Sequence, residues 1–139
     1  MSSILVIDDE KIILNVIEIA LTTFGYRVEV AGGGREGIMK FDEGLYDLVI
    51  TDFIMPDVDG SGVVNHIRNS NRRQTPIIGI SGTPWLLEEI DVDQVLTKPF
   101  RIQALLDSIK HLSTSLKKKH LGNFYNSQHS IIPIVSGAN

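Results

Sequence analysis

Five times along the chain, a short apolar run gives way to a helix-forming segment or a turn. Runs at residues 4–7, 26–30, 48–50, 76–80 and 95–97 suit strands. Segments 10–24, 35–41, 61–69 and 100–116 repeat their apolar residues at helical spacing. Residues 85–90 leave room for one or two helical turns at most. This alternation is a strong constraint. Strands joined through helices return in the same direction, and the helices cover both faces of the resulting parallel sheet. The crossovers are expected to be right-handed. The predicted fold is therefore a doubly wound α/β domain of the flavodoxin-like (βα)5 type. It has a five-stranded parallel sheet in the order 2-1-3-4-5 and a shortened helix 4.

Each helix carries its own pattern. In the first, Ile13, Val16, Ile17, Ala20, Leu21 and Phe24 form a predicted core stripe, and Gly25 follows as a C-cap. Ile38, Met39 and Phe41 are the apolar positions of the second helix, and Val63, Val64 and Ile67 those of the third. The last helix places Ile102, Leu105, Leu106, Ile109 and Leu112 on one face.

Composition narrows the function classes. The 139 residues suit one compact domain, here placed at 1–116, with 117–139 as a C-terminal extension and no effector domain. A net charge of −4 argues against a general nucleic-acid binder. With no cysteine, there is neither a disulfide framework nor a thiolate metal site. No apolar run reaches the roughly 18–20 residues of a membrane span, and no secretory signal pattern opens the chain. A cytoplasmic protein without direct nucleic-acid or membrane contact is expected. In the extension, the three lysines at 117–119 suit a helix C-terminus. The apolar patch at 131–135 is expected to pack against this domain or a neighbouring chain.

The chemistry lies at the strand ends. Asp8 and Asp9 follow the first strand, Asp52 the third, Ser81 the fourth and Lys98 the fifth. In open α/β sheets, ligands bind outside the carboxyl ends of the strands, at the switch point between strands one and three. The three aspartates should converge there. Clustered carboxylates either shift their pKa values upward or take in a cation. Oxygen ligands with open positions suit a hard ion, best Mg²⁺, with Mn²⁺ as a substitute. An aspartate, a divalent ion, a lysine and a hydroxyl make a site for phosphoryl transfer. The carboxylate is the nucleophile, the cations neutralise phosphoryl oxygens and the hydroxyl donates a hydrogen bond. A flavin site is excluded locally, because the loop after strand one carries Asp8, Asp9 and Glu10, which repel a bare phosphate.

These residues stand in "ILVIDDE", "DLVITDFIMPDVDG", "PIIGISG" and "LTKPF". In that order the chain resembles the receiver domain of two-component response regulators, over about residues 3–112. The resemblance implies that Asp52 accepts a phosphoryl group from a sensor histidine kinase or a histidine phosphotransfer protein. It implies Asp9 as a direct Mg²⁺ ligand, Asp8 acting mainly through water, and the backbone carbonyl of Ile54 as a further ligand. Lys98 would bind a phosphoryl oxygen, Lys98–Pro99 would be cis, Ser81 would be the switch hydroxyl and Gly60 would start the third helix. Such a domain catalyses only its own phosphorylation and dephosphorylation, and it switches a surface that binds a downstream target protein.

Three positions depart from the family pattern. Val95 occupies the usual site of a switch aromatic. Only 16 residues separate Ser81 from Lys98, and Pro84 further limits helix 4. Trp85 is then either an exposed contact or a core or lid residue. Gly82 follows the switch hydroxyl, leaving room for phosphate. Two other readings stay open. One is an aspartate-nucleophile phosphatase, disfavoured because Ile54 stands where a general acid is needed. The other is a dimerising or tethering protein that works through its tail. Ile54 cannot orient water either, so slow phosphate loss is expected unless Thr83 does so. His66, His111, His120 and His129 lack metal-ligand spacing. Gly32-Gly33-Gly34 lacks the Lys-Ser/Thr of a phosphate loop and reads as a turn. Asp57 and Asp59 read as turn and cap residues.

Overall fold

The structure, a computed structural model, describes residues 2–129, with side chains described through residue 115. The patch at 131–135, His120 and His129 therefore fall outside the described side chains. Five strands, β1 (Ser3–Ile7), β2 (Arg27–Ala31), β3 (Leu48–Asp52), β4 (Ile77–Ser81) and β5 (Gln94–Thr97), form one parallel sheet. Their order is β2-β1-β3-β4-β5, as the alternation requires. Between them run α1 (Lys11–Thr23), α2 (Gly34–Glu43) and α3 (Gly60–Arg68), and α4 (Ile102–His129) follows β5. The chain divides into two compact units, Met1–Ser108 and Ile109–Asn139. The sheet and its site belong to the first.

The strands sort by position in the sheet. β3 and β4 are buried throughout, and β1 is buried after Ser3, as expected for strands covered on both faces. β2 and β5 alternate between more and less exposed residues because they are edges. Successive side chains point to opposite faces. On one face, Leu5, Ile7, Val49 and Ile77 join Phe41 of α2 and Val63, Val64 and Ile67 of α3 in one core cluster. α1 packs over β1 and β2.

Packing keeps most of the predicted α1 stripe, with Ile17 and Leu21 buried and Ile13 and Ala20 half-buried, but shifts its edge to include Leu14. The buried residues are Leu14, Ile17 and Leu21, whereas Val16 and Phe24 are exposed, as are Ile12 and Ile19. The helix carries aliphatic residues around most of its circumference, so periodicity alone does not choose which third meets the sheet. In α2, Phe41 is buried and Ile38 packs against the core, but Met39 is exposed.

Helix 4 of the predicted fold is a single 3₁₀ turn, Pro84–Leu87, within the one or two turns that the sequence allows. Leu87 is its one buried residue, and Trp85 is 64% exposed, so it is not a core residue. The short β4–β5 crossover is instead fastened by Arg68, at the C-terminal end of α3. Its guanidinium donates to the carbonyls of Thr75 (2.7 Å) and Asp91 (3.0 Å) and to Asp93 Oδ2 (3.0 Å). Asp93 Oδ2 also accepts the Ile77 N–H at 2.8 Å, which ties the crossover to the start of β4. Arg68→Ala would leave the part-buried Thr75 carbonyl unpaired and turn the exposed Asp91 and Asp93 acceptors over to water. A loss of about 1–3 kcal/mol is expected, read as a lower urea midpoint with an unchanged m-value. An unchanged midpoint would show that water replaces the guanidinium without cost.

The last helix does not stop near residue 116 but continues to His129. Helix-breaking proline is absent from this stretch, and the next one is Pro133. Among the described residues, no helix is long and apolar enough to cross a membrane.

Candidate phosphoacceptor and metal site

The register brings the predicted residues to one edge. Ile7 pairs with Thr51, Asp52 with Ile80, and Ser81 with Thr97, so Asp8, Asp52, Ser81 and Lys98 end or follow adjacent strands at the same level. One ligand oxygen from each of Asp8, Asp9 and Asp52 lies within 4.8 Å of the others. Asp8 and Asp52 are 1% and 4% exposed, whereas Asp9 is exposed. Lys98 Nζ lies 3.1 Å from Asp52 Oδ1, 3.7 Å from Glu10 Oε1 and 3.9 Å from Asp8 Oδ2. Lys98–Pro99 is cis.

Charge is poorly satisfied here. Burial pushes the Asp8 carboxyl up to about 6, against the Glu10 N–H that hydrogen-bonds Asp8 Oδ1 at 2.8 Å; the Asp52 charge raises it further. Burial also raises Asp52, opposed by its bond to Lys98. Burial would lower Lys98, but the hydrogen bond and charge of Asp52 outweigh it and hold the ammonium above its ordinary value. Asp8 Oδ2 is buried without a hydrogen-bond partner. An orphaned buried carboxylate oxygen facing two further carboxylates is a donor set that fits a hard divalent cation.

Ser81 is buried at the end of β4, and its Oγ is engaged locally. It accepts the Thr83 N–H at 3.0 Å, and the two hydroxyls lie 3.3 Å apart. Ile54 is 72% exposed, so its side chain takes no part in the core. Val95 on β5 is exposed and pairs across the sheet with Gly79. From the sequence, Glu10 opens the first helical segment and adds to the acidic loop after β1. It is the N-cap residue there, and its carboxylate also reaches Lys98. Nothing in the local sequence signals that second role, because the pair spans 88 positions (98 − 10). An apolar groove of about 520 Å³ adjoins the site at Glu10 and Lys98, lined by Ile12, Val16, Pro99 and Phe100 among others.

The remaining candidates belong to α3 and its N-cap. Asp59 caps α3, accepting the Gly62 N–H at 2.9 Å, and Gly60 opens that helix with its N–H on the Phe53 carbonyl. His66 pairs with Asp42 at 2.7 Å and stands edge-on to Phe41.

With this geometry in view, comparison with known proteins decides the family. The model of the response regulator receiver domain matches residues 4–110. The chain belongs to the response regulator receiver domain family. TrcR of Mycobacterium tuberculosis, a transcriptional regulatory protein, is 32% identical over 114 residues, covering 78% of this chain and 44% of TrcR. DltR of Streptococcus agalactiae, also a transcriptional regulatory protein, is 33% identical over 112 residues, covering 77% of this chain and 50% of DltR. This receiver thus spans about half the length of the curated relatives it matches. Among solved structures, the response regulator TrrA of Thermotoga maritima, in complex with Mg²⁺-BeF, is 32% identical with a TM-score of 0.74, covering 81% of this chain and 99% of TrrA. The chemotaxis protein CheY4 of Vibrio cholerae is 29% identical with a TM-score of 0.76, covering 80% of this chain and 98% of CheY4.

Proposed function

We propose that this receiver domain takes a phosphoryl group onto Asp52 with Mg²⁺ bound by Asp8, Asp9, Asp52 and the Ile54 carbonyl. The observation that carries this reading is the pairing of Asp52 with Lys98 at 3.1 Å beside the orphaned oxygen of Asp8. The Mg²⁺-BeF complex of TrrA supports the choice of metal, and Mn²⁺ has the chemistry to substitute. When bound, the ion supplies positive charge to phosphoryl oxygens. Asp52 supplies the nucleophilic oxygen, and Lys98 holds a phosphoryl oxygen by a charge-assisted hydrogen bond. Ser81 leaves Thr83 to donate to the phosphoryl group and shifts the loop that begins at Gly82. That shift biases a binding surface between two states.

The donor is a sensor histidine kinase or a histidine phosphotransfer protein in a phosphorelay. The recipient of the signal is a downstream target protein, reached in the cytoplasm by the monomer or a homodimer. The domain acts on no outside phosphoester, because Ile54 has no proton to give. Incubation with Mg²⁺ and a small phosphodonor, followed by intact mass and peptide mapping, tests the reading. A single phosphoryl adduct on the peptide containing Asp52 is expected. Turnover of a generic phosphomonoester without a stable adduct would overturn it in favour of a phosphatase.

A further inference from the structure

The Gly32-Gly33-Gly34 run and Asp57 are 23 residues apart at their nearest, yet they meet. Asp57 lies in the acceptor loop, residues 53–59, between the phosphoacceptor and α3. Its Oδ1 accepts the Gly34 N–H at 3.2 Å, and its Oδ2 accepts the Arg35 N–H at 3.0 Å. These are free amides of the first turn of α2, whose own N-cap residue, Gly33, has no side chain to offer them. A carboxylate is favoured there by the helix dipole as well. The N–H groups of Val58 and then Arg35 hold the Asp57 carboxyl below the usual carboxylate range.

The approach is close enough to need glycine. A Cβ on Gly34 would lie 1.9 Å from the Val58 carbonyl oxygen, and one on Gly33 would lie 3.0 Å from Asp57 Oδ2. The far end of the loop is pinned too. The Gly60 N–H binds the Phe53 carbonyl at 3.0 Å, and a Cβ there would lie 2.6 Å from the Asp52 carbonyl oxygen. Ile54, whose side chain is exposed, lies between these two anchors.

We propose that Asp57 is a positioning residue, which clamps the acceptor loop to the first turn of α2 and so sets the affinity of the site for Mg²⁺. This rests on the reading that the Ile54 carbonyl is a metal ligand. A loop already fixed loses little freedom when its carbonyl coordinates the ion, whereas a free loop must be ordered at that moment. The glycine run is then neither a phosphate loop nor a mere turn. It is the seat for a carboxylate of the same chain.

The test uses the full chain with Asp57→Ala, Asp57→Asn and, as a control, Glu36→Ala. Glu36 accepts the Gly32 N–H at 2.8 Å, so its removal disturbs the same end of α2 without touching the acceptor loop. Mg²⁺ affinity is read by calorimetry, and loop order by amide hydrogen exchange without metal. Asp57→Ala is expected to weaken Mg²⁺ binding about tenfold and to speed exchange through residues 54–58. Asp57→Asn, which keeps one acceptor oxygen, should fall between, and Glu36→Ala should match the wild type in both. Wild-type Mg²⁺ affinity in Asp57→Ala overturns the proposal, even where the melting midpoint falls as loss of a helix cap alone would make it fall. Unchanged loop exchange overturns the clamp whichever way the metal result falls. A wild type that takes up no Mg²⁺ overturns the metal reading and the affinity part of the proposal together.

Discussion

Asp52→Asn is expected to abolish the phosphoryl adduct altogether, while leaving the fold intact. The amide has the shape of the carboxylate but no nucleophilic oxygen. Asp8 is no substitute. Its Oδ1 is held by the Glu10 N–H, and its Oδ2 lies 3.9 Å from Lys98 Nζ, against 3.1 Å for Asp52. Lys98 can therefore stabilise charge developing on a group attached to Asp52 better than on one attached to Asp8. Asp9 is exposed, so water competes there for both metal and phosphoryl oxygens. The measurement is intact mass after incubation with Mg²⁺ and a small phosphodonor. An undiminished adduct in Asp52→Asn would move the acceptor elsewhere and undo the assignment of roles to Asp52 and Lys98.

The second large effect is on stability and has the opposite sign from most buried substitutions. Asp8→Asn should stabilise the metal-free protein at pH 7. The Asp8 carboxyl is raised from 3.8 to about 6 in the folded state. Between those values the folded protein retains a proton that the unfolded chain has released. Stability therefore falls as pH rises through this window, and above it a charged, orphaned carboxylate is buried. Asparagine removes the charge, and its oxygen still accepts the Glu10 N–H. The gain is on the order of 2–3 kcal/mol from a shift of about two units, or roughly 5–10 °C in melting midpoint. The gain should shrink towards pH 4, where the wild-type carboxyl is protonated as well. Excess Mg²⁺ should reverse the order, because the wild type gains binding energy that the variant has lost. Equal midpoints for the two proteins in chelator at pH 7 would contradict the buried-charge account.

Stability and function thus pull against each other at this edge of the sheet. The buried carboxylates expected to weaken the metal-free protein are the ones proposed to receive a cation and a phosphoryl group. Arg68 and its acceptors lie on a different part of the domain, where polar groups are mutually satisfied and serve only to hold the short crossover.

What the sequence by itself determined was the scaffold and which polar residues meet at its switch point. Apolar runs between amphipathic segments allow few arrangements other than a covered parallel sheet. Once the strands are parallel, Asp8, Asp9, Asp52, Ser81 and Lys98 must share an edge, because each follows a strand of the same direction. Only the tertiary structure decided which contacts form between elements distant along the chain. It chose Leu14 rather than Val16 for the core side of α1, because a helix that is aliphatic around most of its surface has no unique stripe. It settled the short helix 4, which the sequence limits to one or two turns, as one 3₁₀ turn, and fastened the crossover that contains it through Arg68 of α3. It also brought Glu10 to Lys98 and Asp57 to the glycines of α2. Local patterns record periodicity and turn chemistry. They do not record which free amide or charge a side chain will meet across the fold, because that depends on the packed positions of both partners.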